Sequence, residues 1–206
     1  MFYGWKLATI GSCGNLLLQG SVFYTMNAFI EPLVDLHGWS RAGIGLSMTF
    51  ASAMMTLSMP IGIMLTNKVS IRLLMTLGAF IGGLGYIGLG HVDDIRLFAA
   101  LFSIVWVCGQ ICGGVVATML MNRWFAACRG RAFGLVAMGT SLSGAFLPFI
   151  ALVLVDTFGV SWAFSVLGGL AFLLFPICWR LIRDTPEEIG LTVDGLAAGA
   201  FQPGAE

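Results

Sequence analysis

Two glutamines, Gln19 and Gln110, stand in stretches of the chain that carry no Asp, Glu, Lys, Arg or His. A primary amide offers two donor hydrogens and a carbonyl acceptor, so in apolar surroundings its chemistry is recognition of polar atoms without a formal charge. Asn15, Gln19 and Asn27 fall close to one helical face, and Trp106, Gln110 and Gly114 follow one another at one-turn spacing. Gln19, Gln110, Trp106, Asn15 and Asn27 are therefore the candidate lining of a polar cavity. Hydrogen bonding to a neighbouring helix is the alternative for each amide, because it meets the same need for a partner. Glu31, just before Pro32, is the candidate for proton coupling, the alternative being a solvated loop carboxylate.

Other reactive residue types lack the company that catalysis needs. GTSLSG, Gly139 to Gly144, sets serines beside glycines, but a serine nucleophile requires a base within hydrogen-bond reach. His37 and His91 are the only histidines, and both fall outside the apolar stretches. The serines read as small residues at a helix contact, and the chain reads as a non-enzyme with no cofactor. Cys108 and Cys112 are one turn apart, but no histidine or carboxylate shares their stretch, so they read as polarisable packing residues rather than half of a metal site.

The elements that position these residues follow from composition. The chain is 58% hydrophobic and 10% charged, where a soluble domain carries about 25% charged residues. Its charges come in bursts separated by six apolar runs: Leu7 to Phe29, Ile44 to Leu65, Leu73 to Gly90, Leu97 to Met121, Ala132 to Val155 and Ala163 to Trp179. Each approaches the ~20 residues a helix needs to cross a bilayer, which predicts an all-α, polytopic bundle of six transmembrane helices over residues 1–183, followed by a tail at 184–206. Met1 to Lys6 leads into span 1 with no cleavage pattern, so span 1 is not read as a secretory signal.

Ten acidic and ten basic residues cancel, which gives no reason to expect a nucleic-acid partner; the lipid bilayer is the expected environment. Eight basic residues (Lys6, Lys68, Arg72, Arg123, Arg129, Arg131, Arg180 and Arg183) fall on one side, and only Arg41 and Arg96 on the other. By the positive-inside rule both ends face the cytoplasm, the membrane being the cell (inner) membrane.

The chain also repeats itself. Arg41-Ala42 recurs ninety residues on as Arg131-Ala132; Val69-Ser70 recurs ninety-one on as Val160-Ser161, and Gly78 as Gly169 at that same offset. The register lays spans 1 to 3 over spans 4 to 6. Three is odd, so the second copy enters from the opposite side, a 3+3 inverted repeat. Gln19 and Gln110 are ninety-one residues apart and become symmetry mates. Gly78 with Gly82 and Gly109 with Gly113 are small-xxx-small pairs that predict close backbone approach, and Pro60 and Pro148 are residues that can kink spans 2 and 5.

The residues also resemble a known family. FYGWK at Phe2 to Lys6, HGWSRAGIGLS at His37 to Ser47, NRWFAACRGRAFGLVAMG at Asn122 to Gly139, and PEEIGL at Pro186 to Leu191 followed by Asp194-Gly195 resemble, in order and spacing, the major facilitator superfamily. The closer similarity is to the branch that includes monocarboxylate transporters and oxalate/formate antiporters. The resemblance covers Phe2 to about Gly195 and implies secondary transport of a small organic anion such as a monocarboxylate, by alternating access, with helices 1 and 4 lining a central cavity. It places PEEIGL in the cytoplasmic connector between helices 6 and 7, so the chain looks like the amino-terminal half of a twelve-helix carrier. Such a half needs a second six-helix half, or itself as a homodimer; the alternative is a split or truncated half with no transport of its own. In that branch the basic residues that hold the substrate carboxylate lie largely in the second half.

Family members usually carry G-x-L-x-D-R-x-G-R-R between spans 2 and 3, with an aspartate that helps lock the conformational cycle. Here GIMLTNKVSIR keeps Gly62 but has Thr66 for the aspartate and Val69 for the glycine. Lys68 and Arg72, with Arg129 and Arg131 of the next loop on that side, are the candidate gating residues, the alternative for the first loop being a merely topogenic basic stretch. In the connector, Thr185 as N-cap, Pro186 at the first helical position and Glu188 completing a capping box predict a short helical turn ended by Gly190, with LAAGAFQPGAE disordered.

The charge asymmetry makes a direct prediction. A topology reporter fused after Glu206 is expected to be active only in its cytoplasmic form; activity of a periplasmic reporter there would contradict the orientation.

Overall fold

The computed structural model describes residues 2–193. Asp194-Gly195 and the segment read above as disordered lie outside the described residues. The described residues are helical, with no strand among them. Span 1 runs through Tyr3–Gly14, a π-helical stretch Asn15–Gly20, and Ser21–His37. Spans 2 and 3 are Arg41–Thr66 and Ile71–Leu89. Span 4 runs through Ile95–Gly109, a second π stretch Gln110–Gly114, and Val115–Trp124. Span 5 is Arg129–Phe158, and span 6 is Val160–Phe172 joined through Leu173 to Leu174–Leu181. Spans 2 to 6 are individually long and apolar enough to cross a bilayer. Span 1 keeps a helical backbone throughout, although its π stretch divides it into α-helices of 12 and 17 residues.

The helices outrun the apolar runs because local chemistry decides where they stop. Span 1 continues past Glu31 and Pro32 to His37 and ends on Gly38, whose φ of 65° supplies the left-handed cap. Ser40 caps span 2 by accepting from the Gly43 N–H at 3.0 Å, and Asp94 caps span 4 through the Arg96 N–H at 2.8 Å. Pro60 and Pro148 sit inside α-helices that continue through them. Two π-helical stretches begin at Asn15 and Gln110, the amide-bearing positions, in keeping with the tendency of π segments to mark functional positions.

The packing follows the inverted repeat. Span 3 packs along span 6, span 2 along span 4, and span 5 along span 1, and the last two pairs exchange under the operation that maps spans 1–3 onto 4–6. The recurring Val69-Ser70 and Val160-Ser161 both stand where a helix begins, span 3 and span 6 respectively. Glycine sets the closest approaches: a Cβ on Gly83 would stand 2.9 Å from the Phe172 nitrogen, and one on Gly168 2.7 Å from the Gly83 carbonyl oxygen. In lipid, helices gain little hydrophobic energy by touching one another, so this close van der Waals contact carries much of the association.

After span 6, Pro186–Ile189 forms a single 3-10 turn closed by Gly190 in the left-handed region, φ 69°. The capping box expected of Thr185 and Glu188 is not formed: Thr185 is extended and makes no side-chain cap bond. Backbone bonds at the other end hold the turn, from Gly190 N–H to the Glu187 carbonyl and from Leu191 N–H to Pro186, both 3.0 Å. A turn this short is closed from its C-terminal end without needing the cap.

Backbone-limited packing predicts an asymmetric glycine series. Gly83→Leu is expected to lower stability by about 1–3 kcal/mol through overpacking. Gly134→Ala, where an added Cβ meets nothing within 4 Å, is expected to leave it unchanged; thermal unfolding of the purified variants reads both.

Candidate functional site

Spans 1 and 4 cross near the middle of both, and the two π stretches meet there. A Cβ on Gly113 would stand 2.7 Å from the Asn15 backbone nitrogen, and one on Gly109 3.1 Å from the Gln19 Cα. This proximity brings the symmetry-related amides together: Gln19 Nε2 donates to Gln110 Oε1 at 2.9 Å. The bond uses one donor and one acceptor, leaving Gln19 Oε1 and the Gln110 amide nitrogen outside it. Gly114 is the clearance the pair requires, since a Cβ there would run into the Gln110 side chain and lie 3.0 Å from Gln19 Oε1.

Gln19 stands on the wall of two adjoining hollows, and Gln110 on the wall of one of them. One, about 340 Å³, is lined by Gln19, Ile63, Gln110, Gly114, Thr118 and their neighbours; the other, about 300 Å³, by Asn15, Gln19, Gly114, Thr118, Phe133, Thr140 and their neighbours. Both lie between the glutamines and the end of the bundle that carries most of the basic residues, and spans 1, 2, 4 and 5 supply their linings. Asn15 is less free than Gln19. Its Nδ2 donates to the Val136 carbonyl of span 5 at 2.8 Å, while its buried Oδ1 has no hydrogen-bond partner among the described residues.

On the other side of the glutamines the surface is aromatic. Trp106 is buried, with its ring centroid 4.7 Å from Phe23 and 5.9 Å from Phe102, and its Nε1 lacks a partner among the described residues. Phe23 and Tyr24 are 41% and 42% exposed, and Tyr24 lies over Gly144 of span 5. Asn27 is exposed one turn beyond Phe23 and takes no part in the amide pair. Phe23 and Tyr24 were missed in the sequence, where an aromatic in an apolar run carries no mark of the face it occupies. Glu31 pairs with Arg41 at 2.8 Å, both side chains mostly exposed, a setting in which an ion pair contributes little stability.

Of the two serines in the Gly139–Gly144 stretch, Ser143 is buried at a helix contact beside Gly20, whereas Ser141 is exposed; Gly139 itself meets the Ser12 carbonyl. Cys108, Cys112 and Cys178 are buried and free. Among the described residues no His, Cys, Asp or Glu cluster is placed to hold a metal ion.

The loop residues separate into holders and free cations. Arg123 donates to the carbonyl of Thr66 at 2.8 Å, so the loop after span 2 is held through its backbone at the position that lacks the family's aspartate. Arg72 gives its backbone N–H to Asp184 at 2.9 Å and lays its guanidinium over Trp179 at 4.5 Å. Arg129 bonds the Phe125 carbonyl at 2.7 Å, Arg131 lies over Trp5 at 5.6 Å, and Lys68 is exposed. Nothing in its sequence context marked Arg123 as a holder, because its partner is a main-chain oxygen.

Comparison with known proteins agrees with this architecture. The oxalate:formate antiporter of Oxalobacter formigenes is 29% identical over 169 residues, covering 82% of this chain and 40% of the antiporter. Human monocarboxylate transporter 10 is 25% identical over 168 residues, covering 76% of this chain and 32% of the transporter. A probable hexose phosphate transport protein of Chlamydia pneumoniae is 25% identical over 179 residues, covering 84% of this chain and 39% of that protein. The chain thus spans at most about two-fifths of the length of these relatives. The family model described as Major Facilitator Superfamily matches residues 12–201. With six helical spans in a 3+3 inverted repeat, five of them long and apolar enough to cross a membrane among the described residues, the chain is an integral, multi-pass membrane protein that belongs to the Major Facilitator Superfamily.

Proposed function

We propose that this chain forms one wall of a secondary transporter that moves a small organic anion by alternating access, and that it catalyses no covalent chemistry. The observation that carries the reading is the Gln19–Gln110 pair, a neutral donor and acceptor set held at mid-depth on the wall of open hollows. An amide there can bind a substrate oxygen without the cost of burying a charge. Substrate class rests on the relatives: oxalate, formate, monocarboxylate and hexose phosphate in their names are all anions.

In this reading the basic end faces the cytoplasm of the cell (inner) membrane and the hollows form the inward-facing part of the path. Asn15 and Thr118 add polar groups below the glutamines, and Phe23 and Trp106 an aromatic wall above them, with Asn27 nearer the mouth. Glu31, paired with Arg41, is the chain's candidate for coupling to protons at the outer mouth. Lys68, Arg72, Arg129 and Arg131 belong to the cytoplasmic loops that rearrange with access, and residues 184–206 form the connector. The apolar runs of the spans offer no positive charge, so the charge that completes an anion site comes from an opposing wall, either a second six-helix half or a second copy of this chain. A second reading, a chain without transport of its own, is favoured by the absence of any Asp, Glu, Lys, Arg or His in its apolar runs.

Uptake of radiolabelled formate or lactate into proteoliposomes separates the readings. Saturable uptake is expected only from preparations in which the chain is assembled with a second half or with itself. Gln19→Leu and Gln110→Leu should each raise KM about five- to tenfold, the worth of one hydrogen bond. Saturable uptake by the monomer contradicts the need for an opposing wall, unchanged KM in both variants removes the glutamines from the site, and no uptake by any assembly supports the second reading.

A further inference from the structure

We propose that the basic end of the seam between spans 3 and 6, on the side of the bundle away from the hollows, binds the phosphate of an anionic phospholipid, with Arg72 as its cation and Trp179 as its floor. The Arg72 guanidinium lies 4.5 Å from the centroid of Trp179, a ring 48% exposed near the end of span 6. The neighbouring carboxylate forms no ion pair with it. Asp184 Oδ1 accepts the backbone N–H of Arg72 at 2.9 Å and the Ser70 hydroxyl at 3.2 Å, so it serves the start of span 3 rather than the guanidinium. Arg72 Nε is buried with no partner, and the ion pairs among the described residues, Glu31–Arg41 and His37–Asp93, both lie at the opposite end. Lys68 and Arg180, both exposed, flank the site in sequence.

The surface leading away from Arg72 identifies the occupant as an amphiphile. Leu73, Leu77, Ile81 and Leu84 form a stripe along span 3, each 38–47% exposed, and Leu173 and Ile177 of span 6 are exposed as well. Their spacing of four, four and three residues keeps the stripe on one helical face. A free anion has no use for it, whereas a lipid lays its acyl chains along it with the headgroup at the cation. A guanidinium matches phosphate oxygens in a planar fork, tryptophan prefers headgroup depth, and basic pockets between spans recognise anionic headgroups.

The test uses the full chain in detergent micelles, with thermal unfolding and native mass spectrometry read against phosphatidylglycerol, phosphatidylcholine and inorganic phosphate. Phosphatidylglycerol is expected to bind about fivefold more tightly than phosphatidylcholine, the increment for one basic residue near a headgroup, and to raise Tm where inorganic phosphate does not. Arg72→Gln should bring the two lipids level, while Lys6→Gln keeps the preference. Should Arg72→Gln fail to fold, Trp179→Leu provides the same reading, with the preference again expected to vanish. Equal binding of both lipids by the unaltered chain, equal protection by inorganic phosphate, or a preference that survives in a folded Arg72→Gln or Trp179→Leu overturns the proposal.

Discussion

At mid-depth in a bilayer a side-chain amide turned toward lipid would find no water to pair with, and leaving its groups unpaired there costs several kcal/mol. The chain meets this constraint by bonding two amides to each other across the crossing of spans 1 and 4. Much else follows from that bond. The crossing must be tight enough for the side chains to meet, hence Gly109 and Gly113 where the backbones touch and Gly114 where the amides need room. Both helices also leave α geometry at the crossing, with π stretches beginning at Asn15 and Gln110.

The crossing divides the molecule into two surfaces with different solvents. Spans 1, 2, 4 and 5 carry the hollows, whereas spans 3 and 6 pack against each other behind them through Gly83 and Gly168. That pairing gives the polar wall a rigid back: the Tyr86 hydroxyl of span 3 sits 2.7 Å from that of Ser21 in span 1, just past the π stretch. At the basic end, Arg123 on the Thr66 carbonyl and Trp124 on the Arg183 carbonyl tie span 4 to the ends of spans 2 and 6. Main-chain acceptors replace a charge pair there, so the ties do not depend on the missing aspartate.

What the sequence disclosed followed from period and length. The six apolar runs reflect bilayer thickness, and the ninety-one-residue offset between Gln19 and Gln110 reflects a fold symmetry that acts on every residue alike. The glycine pairs announced the close contacts for the same reason, since only the missing Cβ matters there. Contacts to main chain were not legible: Arg123 on Thr66, Asn15 on Val136 and Tyr3 on Leu181 each depend on a carbonyl that every residue possesses. Pro60 and Pro148 stand inside helices that run on through them, while the π stretches were not legible because they depend on how two spans cross. Phe23 and Tyr24 stayed hidden because aromatic side chains suit core, lipid and cavity alike.

The account turns on whether the two glutamines are coupled as a pair, and a double-mutant cycle measures that most directly. Gln19→Leu, Gln110→Leu and the double variant, unfolded reversibly from mixed micelles, are expected to show a coupling energy of roughly 0.6–1.7 kcal/mol, the range for hydrogen bonds between membrane helices. Strictly additive losses would mean that the amides do not bond to each other, and that something other than this pair holds spans 1 and 4 at their crossing.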